Sequence, residues 1–213
     1  MIVSISGIKN EQEYIDAVNC GVENIGFKVG QCRPGNDFIL GSTASRIIKK
    51  SLPFCNLFLE TELTDINEIA DIVSYTGVST IIVRGHLSPF QLNDLRERLA
   101  EYKKIICSFD FSTINIDEMK EILSYIDGFL IDFSTIDGLL NPEELEVQID
   151  ACKFFISYAV KPVIISGVTN LLYLQQLAEG LDIFGVILNY GDDLKSVDNR
   201  LLIEKLKIMP AVF

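Results

Sequence analysis

The chain has 213 residues, of which 48% are hydrophobic, and a formal net charge of −12. Its length and hydrophobic content suit one domain, residues 1–213, with a sizeable core. The acidic balance and the lack of a basic run exclude nonspecific nucleic-acid binding, which sets Lys and Arg against phosphate.

In chain order, the first apolar run, MIVSISG at 1–7, predicts a strand. Asn10 with Glu13 forms a capping-box pattern ahead of Tyr14, Ile15, Ala17 and Val18, which predicts a helix. NIGFKVG at 24–30 is the second strand, and a polar stretch, Gly30 to Gly41, follows it as a long loop. CNLFLE at 55–60 precedes a second capping pattern, Asp65 with Glu68. TIIVRG at 80–85 leads to Ser88-Pro89-Phe90-Gln91, where a cap residue, proline at the first helical position and glutamine at the third mark a helix start. KIICSFD at 104–110 and GFLID at 128–132 are the fifth and sixth strands. An irregular segment, Phe133 to Leu140, separates the sixth from Asn141-Pro142-Glu143-Glu144, which opens a helix reaching about Tyr158. PVIISG at 162–167 and FGVILNYG at 184–191 complete eight strands.

A strand and its crossover helix need about 30 residues, and eight such units close a (β/α)8 barrel, an α/β TIM barrel. Chemistry in that fold sits at the C-terminal strand ends. The apolar runs are far shorter than the roughly 20 residues that cross a bilayer. Met1 leads into a strand with no basic region, so neither a signal peptide nor membrane association is expected, and the location is expected to be cytoplasmic. Cys20, Cys32, Cys55, Cys107 and Cys152 show no CxxC spacing, and His86 is the one histidine, so no metal site or cofactor is expected. The cysteines read as reduced thiols, most of them buried.

Alternate residues of a strand share a face, so polar residues near the strand tips are candidates for the barrel mouth. These are Ser4 and Ser6, Lys28 with Arg33 in its loop, Arg84 followed by His86, Ser108 and Asp110, Asp132, Ser166 and Asn189. Lysine or arginine pointing into a barrel is rare unless paired. Lys28 and Arg84 therefore either form ion pairs with Asp110 or Asp132, or hold a small anionic substrate. The partner expected for the chain is such a small molecule, and the chain itself is expected to be a monomer or a homodimer.

These segments resemble, in order and spacing, the phosphoribosylanthranilate isomerase family of tryptophan biosynthesis. Ser4-Ile5-Ser6-Gly7-Ile8-Lys9 resembles that family's K-I-C-G-I-T, and AVNCGVENIGF at 17–27 resembles A-x-x-A-G-A-D-x-I-G-F. Residues 77–88 resemble G-x-D-x-V-Q-L-H-G-D-E-S, Phe129-Leu130-Ile131-Asp132 resembles F-L-L-D, residues 164–168 resemble I-L-A-G-G-L, and GVILNYG at 185–191 resembles G-V-D-V-S-S-G. The resemblance implies a (β/α)8 isomerase in which a carboxylic acid protonates a ring oxygen and a cysteine thiolate takes a proton from the adjacent carbon. By position Asp132 matches the acid. Arg33 falls near an arginine that binds the substrate carboxylate, and Gly167, Thr169 and Gly191 fall where a phosphate is cradled. Ser6 stands in the cysteine position, and a hydroxyl is a far weaker acid than a thiol, so Ser6 needs a partner base, for which His86 is a candidate. Lys28, Arg84, Asp110 and Asn189 complete the expected substrate contacts. Three functions follow: a diverged acid–base isomerase or lyase with Asp132 as general acid, an authentic phosphoribosylanthranilate isomerase, or a non-catalytic binding relative.

Overall fold

Alternation of side chains along eight parallel strands builds this molecule. The structure, a computed structural model, describes residues 1–30, 37–134, 142–168, 171–190, 203–204 and 206–208. The strands are β1 (Ile2–Ser6), β2 (Asn24–Val29), β3 (Phe38–Ile39), β4 (Asn56–Thr61), β5 (Thr80–Val83), β6 (Lys104–Asp110), β7 (Gly128–Asp132), β8 (Val163–Ser166) and β9 (Gly185–Asn189). Between them run α1 (Glu11–Asn19), α2 (Gly41–Ile48), α3 (Ile66–Thr76), α4 (Pro89–Arg98), α5 (Ile116–Ile122), α6 (Pro142–Tyr158) and α7 (Leu171–Gly180). The sheet order is β1-β9-β8-β7-β6-β5-β4-β2, all parallel, and β1 pairs with β2 to close it. The result is the expected (β/α)8 barrel.

The short β3 pairs with the end of β2, Lys28 opposite Phe38 and Val29 opposite Ile39. It therefore breaks what the sequence reads as one loop from Gly30 to Gly41. Two residues are too few to show a period.

Capping follows the sequence signals. Asn10 accepts from the Glu13 N–H, Asp65 accepts from the N–H groups of Asn67 and Glu68, and Ser88 and Gln91 close a reciprocal capping box behind Pro89. Asn141, expected to cap α6, lies outside the described residues.

Two layers of apolar packing hold the barrel. One set of strand side chains, including Ile5, Phe27, Leu59, Ile81, Phe129, Ile165 and Val186, is fully buried against the helices. The alternate set points inward, where Phe58, Ile82, Leu130 and Ile187 form a separate interior cluster with Ile106 and Ile164. Gly26 makes room for it: a β-carbon there would come within 2.3 Å of the Phe58 ring. Above this plug the inward positions turn polar, and the functional candidates begin.

Candidate active site

The inward register continues upward from the plug. Lys28 on β2 lies opposite Glu60 on β4, Asp132 on β7 opposite Ser166 on β8, and Ser6 on β1 opposite Asn189 on β9. Arg84 follows β5 directly, and its N–H donates to the Thr61 carbonyl at 2.8 Å, which continues the sheet for one more residue.

Arg84 is the hub. Its Nε donates to Glu60 Oε2 at 2.5 Å, one terminal nitrogen to Asp132 Oδ2 at 2.5 Å, and the other to Ser166 Oγ at 3.3 Å. The second Asp132 oxygen, Oδ1, accepts the Ser134 N–H at 3.1 Å and the Ser166 hydroxyl at 3.4 Å. Asp132 is thus hydrogen-bonded as an acceptor on both oxygens. Lys28 Nζ donates to Asn189 Oδ1 at 3.0 Å and pairs with Asp37 Oδ2 at 3.4 Å. Among the described residues both cations at the mouth are therefore ion-paired: Arg84 with Asp132, as one of the two sequence readings has it, and additionally with Glu60, and Lys28 with Asp37 instead of the expected Asp110 or Asp132.

Glu60 is a functional candidate that sequence reasoning missed. It is fully buried. Burial pushes its pKa up, but Arg84 and then Lys28 outweigh that, with a contribution from Ser6, and hold the carboxyl below its usual range. The same two carboxylates raise Arg84 against its own burial. Among the described residues Glu60 Oε1 meets no hydrogen-bond donor at ordinary distance, and the Oγ of the equally buried Ser6 beside it has no close partner either. A signal existed: Glu60 follows Phe58 by two residues, so it shares the inward face.

Gly167 faces Asp132 so closely that only glycine fits. Its φ is +79°, and a β-carbon there would meet Asp132 Oδ1 at 2.2 Å and the Ser134 nitrogen at 2.4 Å. Lys28, Arg84, Asp132, Ser134, Gly167 and Asn189 line one cavity of about 200 Å³ at the mouth, together with Phe38 and Glu62. Arg33, Thr169 and Gly191 lie outside the described residues.

The structure does not bring His86 to Ser6. Gly85 turns the chain beneath the carbonyls of Glu62 and Leu63, where a β-carbon would clash at 2.8 and 2.9 Å. His86 then emerges 79% exposed, with Nδ1 3.1 Å from Glu118 Oε1. Asp110 is likewise turned aside. Its Oδ1 caps the short helical turn Phe111–Thr113 by accepting from the Ser112 N–H and hydroxyl at 2.8 and 2.6 Å. His86, Ser108 and Asp110 line a neighbouring cavity of about 360 Å³ between α4 and α5, which Arg84 also borders. Cys107 on its wall is pushed up to about 12 by burial, which suits an inert thiol.

No family model matches the chain. N-(5'-phosphoribosyl)anthranilate isomerase 2 of Methanosarcina mazei is 30% identical over 132 residues, 62% of this chain. The match spans 58% of that relative's own length. Among solved structures, phosphoribosylanthranilate isomerase from Thermotoga maritima superposes with a TM-score of 0.76 at 19% identity, covering 97% of this chain and 98% of that one. KGPDC from Streptococcus mutans superposes with a TM-score of 0.72 at 15% identity, covering 97% of each. The structural likenesses establish the barrel and, since they extend to a differently named protein, leave the chemistry to the site. The sequence match supports the resemblance read from the motifs: over part of its length the chain is similar to a phosphoribosylanthranilate isomerase, and its fold is the (β/α)8 barrel.

Proposed function

We propose that this chain is an acid–base isomerase of the phosphoribosylanthranilate isomerase type, acting on a small, sugar-derived anion at the C-terminal mouth of the barrel. The observation that carries the reading is Asp132: a carboxylate at a strand tip, fixed through both oxygens, on the wall of a cavity shared with Lys28, Arg84, Gly167 and Asn189. Asp132 donates a proton to the departing ring oxygen. An anionic group of the substrate competes with Asp132 for Arg84.

The proton on the neighbouring carbon needs an acceptor. Ser6 alone is too weak, and His86 is turned away. Glu60, ionised and with one free oxygen beside Ser6, is the base we assign. One proton leaves carbon for Glu60 and one reaches oxygen from Asp132, so the isomerisation is balanced. Arg84 roofs Glu60, and its movement toward the substrate also opens the floor of the site.

Turnover of freshly generated phosphoribosylanthranilate, followed by loss of anthranilate fluorescence, tests this. Wild type should turn over, and Asp132→Asn and Glu60→Gln should each lower kcat by about 100-fold or more, the scale of general acid–base catalysis. Activity only in Ser6→Cys would mean a scaffold without a working base. Inactivity of every variant would favour a second reading, another small substrate for the same carboxylates. One observation favours it: Lys28 and Arg84, the described cations at the mouth, are both ion-paired, and Phe133-Ser134 stands where the family carries phosphate-binding glycines.

A further inference from the structure

The two cations at the mouth are held very differently. Arg84 is clamped between two carboxylates at 2.5 Å, and one of them, Glu60, is completely buried. Taking Arg84 from Glu60 would leave a buried charge without its partner, which is strongly unfavourable. Lys28 has one carboxylate partner among the described residues, Asp37, at 3.4 Å. The Asp37 side chain is 38% exposed, while that of Lys28 is only 12% exposed. A pair of that length with one member in solvent is weak. Rotation of the Asp37 side chain into water undoes it and leaves the ammonium at the mouth.

The surroundings make this loose pair a binding position. Lys28 on β2 reaches past β1 to Asn189 on β9, where its Nζ donates to Oδ1 at 3.0 Å. The ammonium is thus also held by an uncharged group, and this contact does not depend on Asp37. Asp37 lies beside the tip of β1: its β-carbon is 3.8 Å from where a β-carbon on Gly7 would stand. It comes one residue ahead of Phe38, which pairs with Lys28 across the short β3. Lys28, Phe38 and Asn189 line the mouth cavity of about 200 Å³ together with Asp132.

We propose that Lys28 and Asn189 form a subsite for a carboxylate, and that the Asp37 carboxylate occupies it in the free protein as an internal substitute for the ligand. The class follows from the cavity walls. Glu62 and Asp132 line the same cavity. A phosphate, with more than one negative charge, meets more repulsion there than a carboxylate with one. The subsite takes from the proposed function only that the ligand is a small anion entering at the mouth, and it names the group by which that anion is anchored. Asp37 then regulates entry. A tethered competitor acts at a high effective concentration, and the apparent affinity of a ligand falls with the fraction of sites that stand open.

The test is a titration of the full chain with acetate, which is the Asp37 side chain cut free. Binding is followed by the side-chain amide NMR signals of Asn189 at constant ionic strength, without any turnover. Wild type should bind weakly, and Asp37→Ala should bind acetate about tenfold tighter, because the internal competitor is gone. Loss of a negative charge as such is not enough: Glu101→Ala, just ahead of β6 at the far end of the barrel, should match wild type. Lys28→Met should abolish binding with or without Asp37→Ala, and inorganic phosphate should gain less than acetate from Asp37→Ala. An acetate affinity that Asp37→Ala leaves unchanged or weakens would overturn the proposal. So would acetate binding that survives Lys28→Met, or a gain for phosphate as large as that for acetate. Circular dichroism would confirm that every variant keeps its fold. If Lys28→Met does not fold, Lys28→Gln takes its place, and Asp37→Ala decides the matter alone because it leaves Lys28 intact. Isomerase turnover is read separately. Turnover by a chain whose acetate affinity ignores Asp37→Ala would sink the subsite and spare the isomerase, and a tightened acetate site without turnover would do the reverse.

Discussion

At the scale of single residues, the mouth is governed by one guanidinium shared between two carboxylates. Removing the buried partner should be costly. Glu60→Ala leaves Arg84 partly buried beside a void, and loss of one member of a buried ion pair costs about 3–5 kcal/mol. Glu60→Gln keeps the shape and should cost less, and denaturant unfolding would order the two. Gly167→Ala should destabilise by about 2 kcal/mol or more, because it combines a left-handed φ with a clash against Asp132. Ser6→Ala should be close to neutral in the same assay, since among the described residues its buried hydroxyl has no close hydrogen-bond partner. A large loss from Ser6→Ala would mean that the hydroxyl carries a hydrogen bond to Glu60 after all.

At the scale of elements, the register between strands is held from below as well as above. Asp127, just ahead of β7, accepts from the Ile105 N–H at 2.9 Å and from Arg96 of α4 at 2.5 Å, and pairs with Lys104 at 3.3 Å. Burial pushes its carboxyl upward, but these contacts win and hold it below the ordinary range. Asp127 and Glu60 are both depressed in the folded chain. Their stabilisation is therefore complete above the unfolded carboxylate values, near pH 4, and is lost as pH falls through the lower folded values. Stability measured by urea should stay level from about pH 6 to 8 on their account and decline below about pH 4. In Asp127→Asn that acid limb should be shallower. On α4, Ser88→Ala should cost about 1 kcal/mol by opening the capping box.

What the sequence revealed at this scale depended on how locally each feature is encoded. Strands that fill a barrel are apolar on both faces and stop at a polar tip, so all eight could be read, as could the caps Asn10, Asp65 and Ser88. The strand β3 could not, because its two residues are defined by pairing with β2 alone. α2 lacks a side-chain cap and begins behind Leu40, which leaves no mark. Within the site, Asp132, Lys28, Arg84 and Asn189 could be placed by alternation. His86 could not, because where the chain turns at Gly85 depends on carbonyls from another loop. Glu60 was within reach of the same alternation, as the polar end of the run CNLFLE.

At the scale of the whole molecule, the barrel is a plug below and a charged layer above. The plug sets fold stability. Phe58→Ala should cost about 3–5 kcal/mol, as for buried aromatics in other cores, and calorimetry should show it as a lower melting temperature with the far-ultraviolet spectrum retained. The charged layer sets what can enter. Its two described cations are each paired, through Arg84–Glu60, Arg84–Asp132 and Lys28–Asp37 contacts.

This internally paired layer has a consequence for how the protein could diversify. An empty site of unpaired charges would depend on its ligand for integrity, and changing the ligand would endanger the fold. Here the strand tips are tied to one another by side chains on or next to the strands. Loops above them can be exchanged by mutation while Arg84 keeps the rim in register. A barrel so braced is a tolerant starting material, in which new specificities can be explored by loop grafting before any catalytic gain has to repay a structural loss.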